Sequence, residues 1–183
     1  YDVTLHDVFF NDVEVATVIS GRAQLMPSYL INALVKYFKG TNNFVDGVTI
    51  SAAGVNGITD TNGAASLTVA NKTVTITADR ITPKYSITAF DASLVLQSAI
   101  GKITLDDNQK LAADVDGNGK VSEYDAALIL QKAVKKIDAF PIGKAWIFTP
   151  SFIDKTLTTT GNSVSFTAIS VGDVDGSYTG DEE

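Results

Sequence analysis

The feature that most constrains this chain is a duplication. Ile87-Thr88-Ala89-Phe90-Asp91-Ala92-Ser93-Leu94-Val95-Leu96-Gln97 aligns with Val121-Ser122-Glu123-Tyr124-Asp125-Ala126-Ala127-Leu128-Ile129-Leu130-Gln131 at a constant offset of 34 residues. Apolar residues recur at helical spacing in both copies: Leu94, Val95, Ala99 and Ile103 in one, Leu128, Ile129, Ala133 and Ile137 in the other. One amphipathic segment stated twice predicts two equivalent helices. A shorter helix is expected between them, over about residues 105–113, with Thr104 as its N-cap.

The sequence on both sides of the repeat has a different texture. Residues 1–82 are rich in Val, Thr and Ile and alternate, as in Val48-Thr49-Ile50, Leu67-Thr68-Val69 and Val74-Thr75-Ile76-Thr77. Turn signals at Lys39-Gly40-Thr41-Asn42-Asn43, Asp46-Gly47 and Asp60-Thr61-Asn62-Gly63 separate these runs, which predicts a small antiparallel β-sandwich. Residues 28–38 also carry Leu30, Leu34 and Phe38 at a spacing of four; the strand reading is preferred over the helical one. Strand texture returns after Pro141, in Ala145-Trp146-Ile147-Phe148 and Ser163-Val164-Ser165-Phe166-Thr167-Ala168-Ile169. The expected fold is therefore α+β in three parts: a sandwich over 1–82, a loop-helix pair over 83–143, and C-terminal strands with an Asp-rich tail over 144–183. That tail packs back on the other two, so the sheet is completed from both sides of the helices.

The stretch that leads into the second helix carries chemistry. Asp114-Val115-Asp116-Gly117-Asn118-Gly119-Lys120-Val121-Ser122-Glu123-Tyr124-Asp125 fits a twelve-residue calcium loop position by position. Asp114, Asp116 and Asn118 offer side-chain oxygens at positions one, three and five, and Gly119 allows the tight turn at six. Lys120 would ligate through its backbone carbonyl at seven, Ser122 stands at nine, and Asp125 closes the shell at twelve. Calcium is a hard ion that takes about six to eight oxygens, and this loop can supply them.

The repeated loop-helix pattern, with Asp at position twelve followed by Ala-Ala-Leu-Ile-Leu-Gln, resembles the type I dockerin domain over about residues 86–142. The resemblance implies calcium in each loop and docking of a cohesin module that anchors proteins to a scaffold. The first copy departs from the pattern: counting back from Asp91 places Arg80, Thr82 and Lys84 at positions one, three and five. Two of these are cations, so that continuous loop should not hold calcium. The C-terminal Gly172-Asp173-Val174-Asp175-Gly176-Ser177 reads like the missing half. A split site is expected, in which Asp173, Asp175 and Ser177 fold back beside residues 86–91 and Asp91 closes the shell, within one chain or between neighbours; the alternative is a solvated Asp-Gly turn. From about residue 30, Ala33-Leu34-Val35-Lys36-Tyr37-Phe38, Val45-Asp46-Gly47-Val48-Thr49-Ile50 and Thr59-Asp60-Thr61-Asn62-Gly63 are similar to carboxypeptidase regulatory-like or collagen-adhesin B-type repeats, which implies an immunoglobulin-like spacer.

Other chemistries lack support. The net charge of −7 and a pI near 4.6 argue against nucleic acid and anionic membranes. Zero Cys removes thiolate metal sites and cysteine nucleophiles. The single histidine, His6, stands in an alternating stretch and reads as a surface residue. Only four Glu occur, most recognisable Asp belong to turns or calcium loops, and there is no phosphate-binding glycine loop, so no catalysis is expected. Trp146, Tyr37, Phe38 and Phe148 could stack a sugar, although strand aromatics more often fill a core. Asn71-Lys72-Thr73 is a sequon that could carry a glycan. A chain beginning at Tyr1 without a membrane-length apolar run reads as processed and secreted, extracellular or at the cell surface. Three functions compete. The first is a calcium-stabilised structural subunit or spacer of a cell-surface or fibre-like assembly, its partners other copies of itself. The second is a cohesin-binding anchor, and the third a carbohydrate-binding module; the first is the preferred expectation.

Overall fold

A computed structural model of the chain describes residues 27–81 and 86–179, and before them the backbone of two small ribbons. In these, β1 (Phe9–Phe10) pairs with β2 (Val13–Glu14), and β3 (Ala16–Ile19) with β4 (Arg22–Leu25). His6 lies outside the described residues.

From residue 27 the alternation in the sequence becomes strands. β5 (Tyr29–Tyr37) turns Tyr29, Ile31, Ala33, Val35 and Tyr37 inward, the period of two that a half-buried strand requires; the helical spacing in this stretch is overridden. β6 (Thr49–Ala52), β7 (Val55–Ile58), β8 (Ala64–Val69) and β9 (Thr73–Asp79) follow. β9 buries Val74 and Ile76 and exposes Thr73, Thr75 and Thr77. The predicted turn at 60–63 precedes β8, and Asp60 Oδ1 accepts from the N–H groups of Asn62 and Ala64 at 2.8 and 2.9 Å. Gly63 sits there at φ +67°, where an added Cβ would lie 2.3 Å from the carbonyl oxygen of Val35.

Three helices come next: α1 (Ala89–Ala99), α2 (Asp107–Ala113) and α3 (Glu123–Ala133). The expected N-cap of the short helix is corrected. Asp106, not Thr104, accepts from Gln109 N, and the Gln109 side chain accepts from Asp106 N in return. A carboxylate at this place satisfies an orphan N–H and favours the positive end of the helix, so it wins over an upstream threonine. The strands β10 (Trp146–Thr149), β11 (Ile153–Thr156) and β12 (Asn162–Ser170) complete the chain.

The strands form two four-stranded sheets, ordered β10-β12-β5-β8 and β11-β9-β6-β7. Each therefore contains strands from both sides of the helices, as expected from the sequence textures. The expectation of purely antiparallel pairing is corrected: β12 runs parallel to β5, from Asn162 opposite Ile31 to Ala168 opposite Tyr37. Parallel neighbours need a long connection rather than a hairpin, and here every other element from β6 to β11 lies between them in the chain.

Two cores result. One fills the sandwich, with Ile31, Val35, Ile50, Ile76, Trp146 and Phe166 among its members. The other joins Val95 of α1, Ala112 and Ala113 of α2 and Ile129 of α3 to Ile169, Val171 and Val174, which are the end of β12 and its continuation. Phe38 packs against both. The duplication is carried to the ends of the helices: Gly101 (φ +72°) and Lys135 (φ +58°) occupy the same left-handed place, 34 residues apart. A side chain with a Cβ is strained there and glycine is not. Lys135→Gly is expected to raise unfolding stability by about 1 kcal/mol and Gly63→Ala to lower it by at least ~2 kcal/mol, both read from urea denaturation.

Candidate metal centres

Two clusters of carboxylates form at the starts of α1 and α3: Asp114, Asp116 and Asp125 in one, Asp91, Asp173 and Asp175 in the other. Within each cluster the carboxylate oxygens lie within 4.8 Å of one another.

The first cluster is the predicted continuous loop. Asp114 ends α2, and its Oδ1 accepts from Gly117 N and Asn118 N at 2.9 and 3.1 Å while its Oδ2 accepts from Gly119 N at 2.8 Å. Asp116 Oδ1 accepts from Asn118 N at 3.0 Å, and Asn118 Oδ1 accepts from Lys120 N at 2.9 Å. Gly117 and Gly119, at φ +75° and +83°, let the chain curl tightly enough to do this. Asp125 reaches back from α3: its Oδ1 accepts from Val115 N and Asp116 N at 3.1 and 3.3 Å, its Oδ2 from Ser122 N and Ser122 Oγ at 2.9 and 2.8 Å. Asp114, Asp116 and Asp125 thus bring their carboxylates together, with Asn118, Lys120 and Ser122 joined to this cluster by hydrogen bonds.

The second cluster is assembled from segments far apart in sequence. β12 ends at Ser170, and the chain turns so that Asp173 and Asp175 face the start of α1. Asp91 Oδ1 accepts from Val174 N and Asp175 N at 2.8 and 3.0 Å. Its Oδ2 accepts from Thr88 N and Thr88 Oγ1 at 2.8 and 2.9 Å. Asp173 Oδ1 accepts from Ser177 N at 3.0 Å and its Oδ2 from Tyr178 N at 3.0 Å, and Asp175 Oδ1 accepts from Ser177 N at 2.9 Å. Each of these bonds has a counterpart in the continuous loop, with Asp173 in the place of Asp114, Asp175 of Asp116, Ser177 of Asn118, and Asp91 of Asp125. Glycine stands at the fourth place in both, Gly176 at φ +68° and Gly117 at +75°.

Of the three residues that the sequence sets at positions one, three and five of a continuous first loop, Thr82 and Lys84 lie outside the described residues. Arg80 belongs to the sandwich: it is buried, 3.6 Å from Asp46 Oδ1, with its guanidinium 5.1 Å from the centre of the Trp146 ring. Sequence reasoning missed Tyr37, whose hydroxyl donates to Asp173 Oδ2 at 2.8 Å across 136 positions; a core-facing tyrosine on a strand carries no sign of such a partner. Ser86 Oγ donates to the same oxygen at 2.8 Å. Burial pushes the carboxyls of Asp91 and Asp173 above their ordinary range, against the pull of their N–H and O–H donors, and pushes the Tyr37 hydroxyl up as well. Loss of water penalises the charged form in each case.

The aromatics considered as a sugar platform are core residues: Tyr37, Trp146 and Phe148 are buried, with Trp146 5.5 Å from Tyr178 and 6.1 Å from Tyr37. Asn71 is exposed between β8 and β9, so its amide is accessible.

Residues 85–134 match the family model of the dockerin type I domain. The helix pair and the loop before α3 are thus similar to a dockerin domain. Dockerin domains bind calcium, are themselves non-catalytic, and typically belong to extracellular or cell-surface proteins. The match stops short of both the sandwich and residues 173–177, and no curated protein or solved structure matches the chain. Among the described residues no helix is long and apolar enough to cross a membrane. The dockerin loop fits the ion its family implies: its donors are carboxylate, amide, hydroxyl and carbonyl oxygens, the set that suits a hard divalent cation and not a thiolate-seeking metal. A ligand that binds only the folded state stabilises it, by about 2.7 kcal/mol at a hundredfold excess over its dissociation constant. Asp114→Asn is therefore expected to lower the melting temperature in saturating calcium and to change it little in excess chelator. Equal losses in both conditions, measured by differential scanning calorimetry, would refute the assignment of this loop.

Proposed function

We propose that the chain is a non-catalytic, calcium-stabilised anchoring module that docks a cohesin-type protein through the outer faces of α1 and α3. The observation that carries this reading is a duplicated apolar surface. Phe90 and Tyr124 are 57% and 58% exposed, Leu96 and Leu130 45% each, and Ile100 and Val134 64% each. Each pair stands 34 residues apart, at equivalent places on two helices that pack against each other. At about 100° per residue the three positions cover roughly a third of the helix circumference, while Ala92, Val95, Ala126 and Ile129 on the opposite side are buried.

Large apolar side chains repeated on one solvent face, without a core to fill, mark a surface built for another protein. The dockerin match supports a cohesin as that protein, in preference to the self-assembling structural subunit expected from sequence texture. Calcium at the loop between α2 and α3 holds α3 in the orientation that presents the face, because Asp125 belongs at once to the loop and to the first turn of the helix. The sandwich then acts as the body that is anchored or spaced, at the cell surface or outside the cell.

Binding of the purified chain to a panel of immobilised cohesins, in calcium and in chelator, tests the reading. One cohesin is expected to bind in calcium only. Phe90→Ala combined with Tyr124→Ala is expected to weaken it at least about tenfold while leaving circular dichroism unchanged. Failure of every cohesin, together with growth of particles in calcium seen by light scattering, would replace this reading with the self-assembling subunit.

A further inference from the structure

We infer that the chain holds a second calcium ion in a loop cut into two sequence-distant halves, and that this ion clamps the helices to the sandwich. The inference rests on the calcium reading above. Asp173, Asp175 and Ser177 supply positions one, three and five from the continuation of β12, and Asp91 supplies position twelve from α1.

Position seven is where a cut loop would be expected to fail, because its backbone carbonyl must come from another segment. By the 34-residue offset the residue equivalent to Lys120 is Ser86, and the Ser86 carbonyl oxygen lies 3.4 Å from Ser177 Oγ. The position-seven acceptor is thus beside the position-five side chain although 91 residues separate them. Position nine falls on Thr88, which already donates to Asp91. The sixth position shows why the cut is tolerated. A continuous loop needs glycine there to fold back, as Gly119 does at φ +83°. Here the sixth residue is Tyr178, after which the chain leaves the site, so no left-handed turn is required; its ring packs 4.7 Å from that of Tyr37 in the sandwich.

Charge supplies the independent reason for a cation. Asp91 and Asp173 are both fully buried, and among the described residues their bonding partners are N–H and O–H groups, with no Lys, Arg or His side chain among them. Two carboxylates taken out of water beside each other without a countercharge are costly, several kcal/mol per ion, and a divalent ion among their oxygens removes that penalty. The site also differs from the continuous loop in what it joins. Asp173 is held by Tyr37 of β5 and by Ser86, Asp91 by the backbone of residues 174 and 175, so an ion here ties α1, the end of β12 and the sandwich core into one unit. The matched dockerin segment cannot form it alone, because half of its ligands lie outside residues 85–134.

Calcium stoichiometry of the full chain, by calorimetry and by elemental analysis after gel filtration, is the test. The wild type is expected to hold two ions, one in each cluster, and Asp114→Asn and Asp173→Asn one each. Terbium supplies a second readout, since Trp146 packs on Tyr178 beside the split site. Terbium emission excited through tryptophan is expected to persist in Asp114→Asn and to be lost in Asp173→Asn and reduced in the milder Ser177→Ala. One ion in the wild type, lost in Asp114→Asn and retained in Asp173→Asn, would overturn the split site and leave the dockerin loop standing. No ion in any variant would overturn both. If Asp173→Asn fails to fold, as judged by circular dichroism, Ser177→Ala decides: unchanged calcium affinity and unchanged terbium emission would refute the inference.

Discussion

The parallel pairing of β5 with β12 is the constraint on which the rest of the structure depends. These strands are the centre of one sheet, and their shared direction brings the end of β12 to the same edge as Tyr37 and Phe38. From there the chain passes directly over the helices: Gly172 N donates to Ala112 O at 2.8 Å, and Gln109 Nε2 donates to Val174 O at 3.0 Å. Had β12 run antiparallel to β5, residues 171–178 would emerge at the opposite end of the sandwich, and neither the second core nor the second carboxylate cluster could form. One strand direction therefore decides that the dockerin helices share a core with the sandwich instead of hanging from it.

Both carboxylate clusters use one device. An Asp in the first turn of a helix accepts two N–H groups from the start of a loop, while the loop's own carboxylates gather the N–H groups that follow. In the continuous loop the two halves are covalently joined and closely spaced. In the split arrangement the same contacts are made by segments whose approach depends on the packing of the whole molecule. The local arrangement can form early with little loss of chain entropy; the distant one is realised only when the long loop between its halves has closed. This difference couples the second cluster to the global fold and the first mainly to α2 and α3. The duplicated apolar face stands on both helices, so its geometry depends on each cluster holding its own helix.

Much of this was legible in residue patterns, for identifiable reasons. The continuous loop was readable because its ligands lie within twelve residues, and side-chain oxygens at fixed local spacing leave a pattern that needs no tertiary information. The long strands were readable because an inward-facing side chain at every second position writes itself into the alternation of β5, β9 and β12. The split cluster was half legible: Asp173, Asp175 and Ser177 repeat the opening of the loop, but nothing local says that they reach Asp91. Tyr37 was not legible at all, since its role depends on a partner 136 positions away. The purely antiparallel expectation failed for a related reason. Hairpin signals report neighbouring strands, and the pairing of the first long strand with the last leaves no local trace.

The sequence by itself determined the duplication, the oxygen-rich loop ending at Asp125, the apolar stripes of α1 and α3, and the sheet texture on both sides of them. These are short-range properties, governed by side-chain type and by the periods of helix and strand. Only the tertiary structure decided which strands became neighbours, that Arg80 would be buried against Asp46 and Trp146 rather than serve a loop, and that two buried aspartates from distant segments would face each other. Those outcomes depend on how the chain closes its long loops around two cores, and the free energy that settles them is shared among many residues, so no single segment carries it.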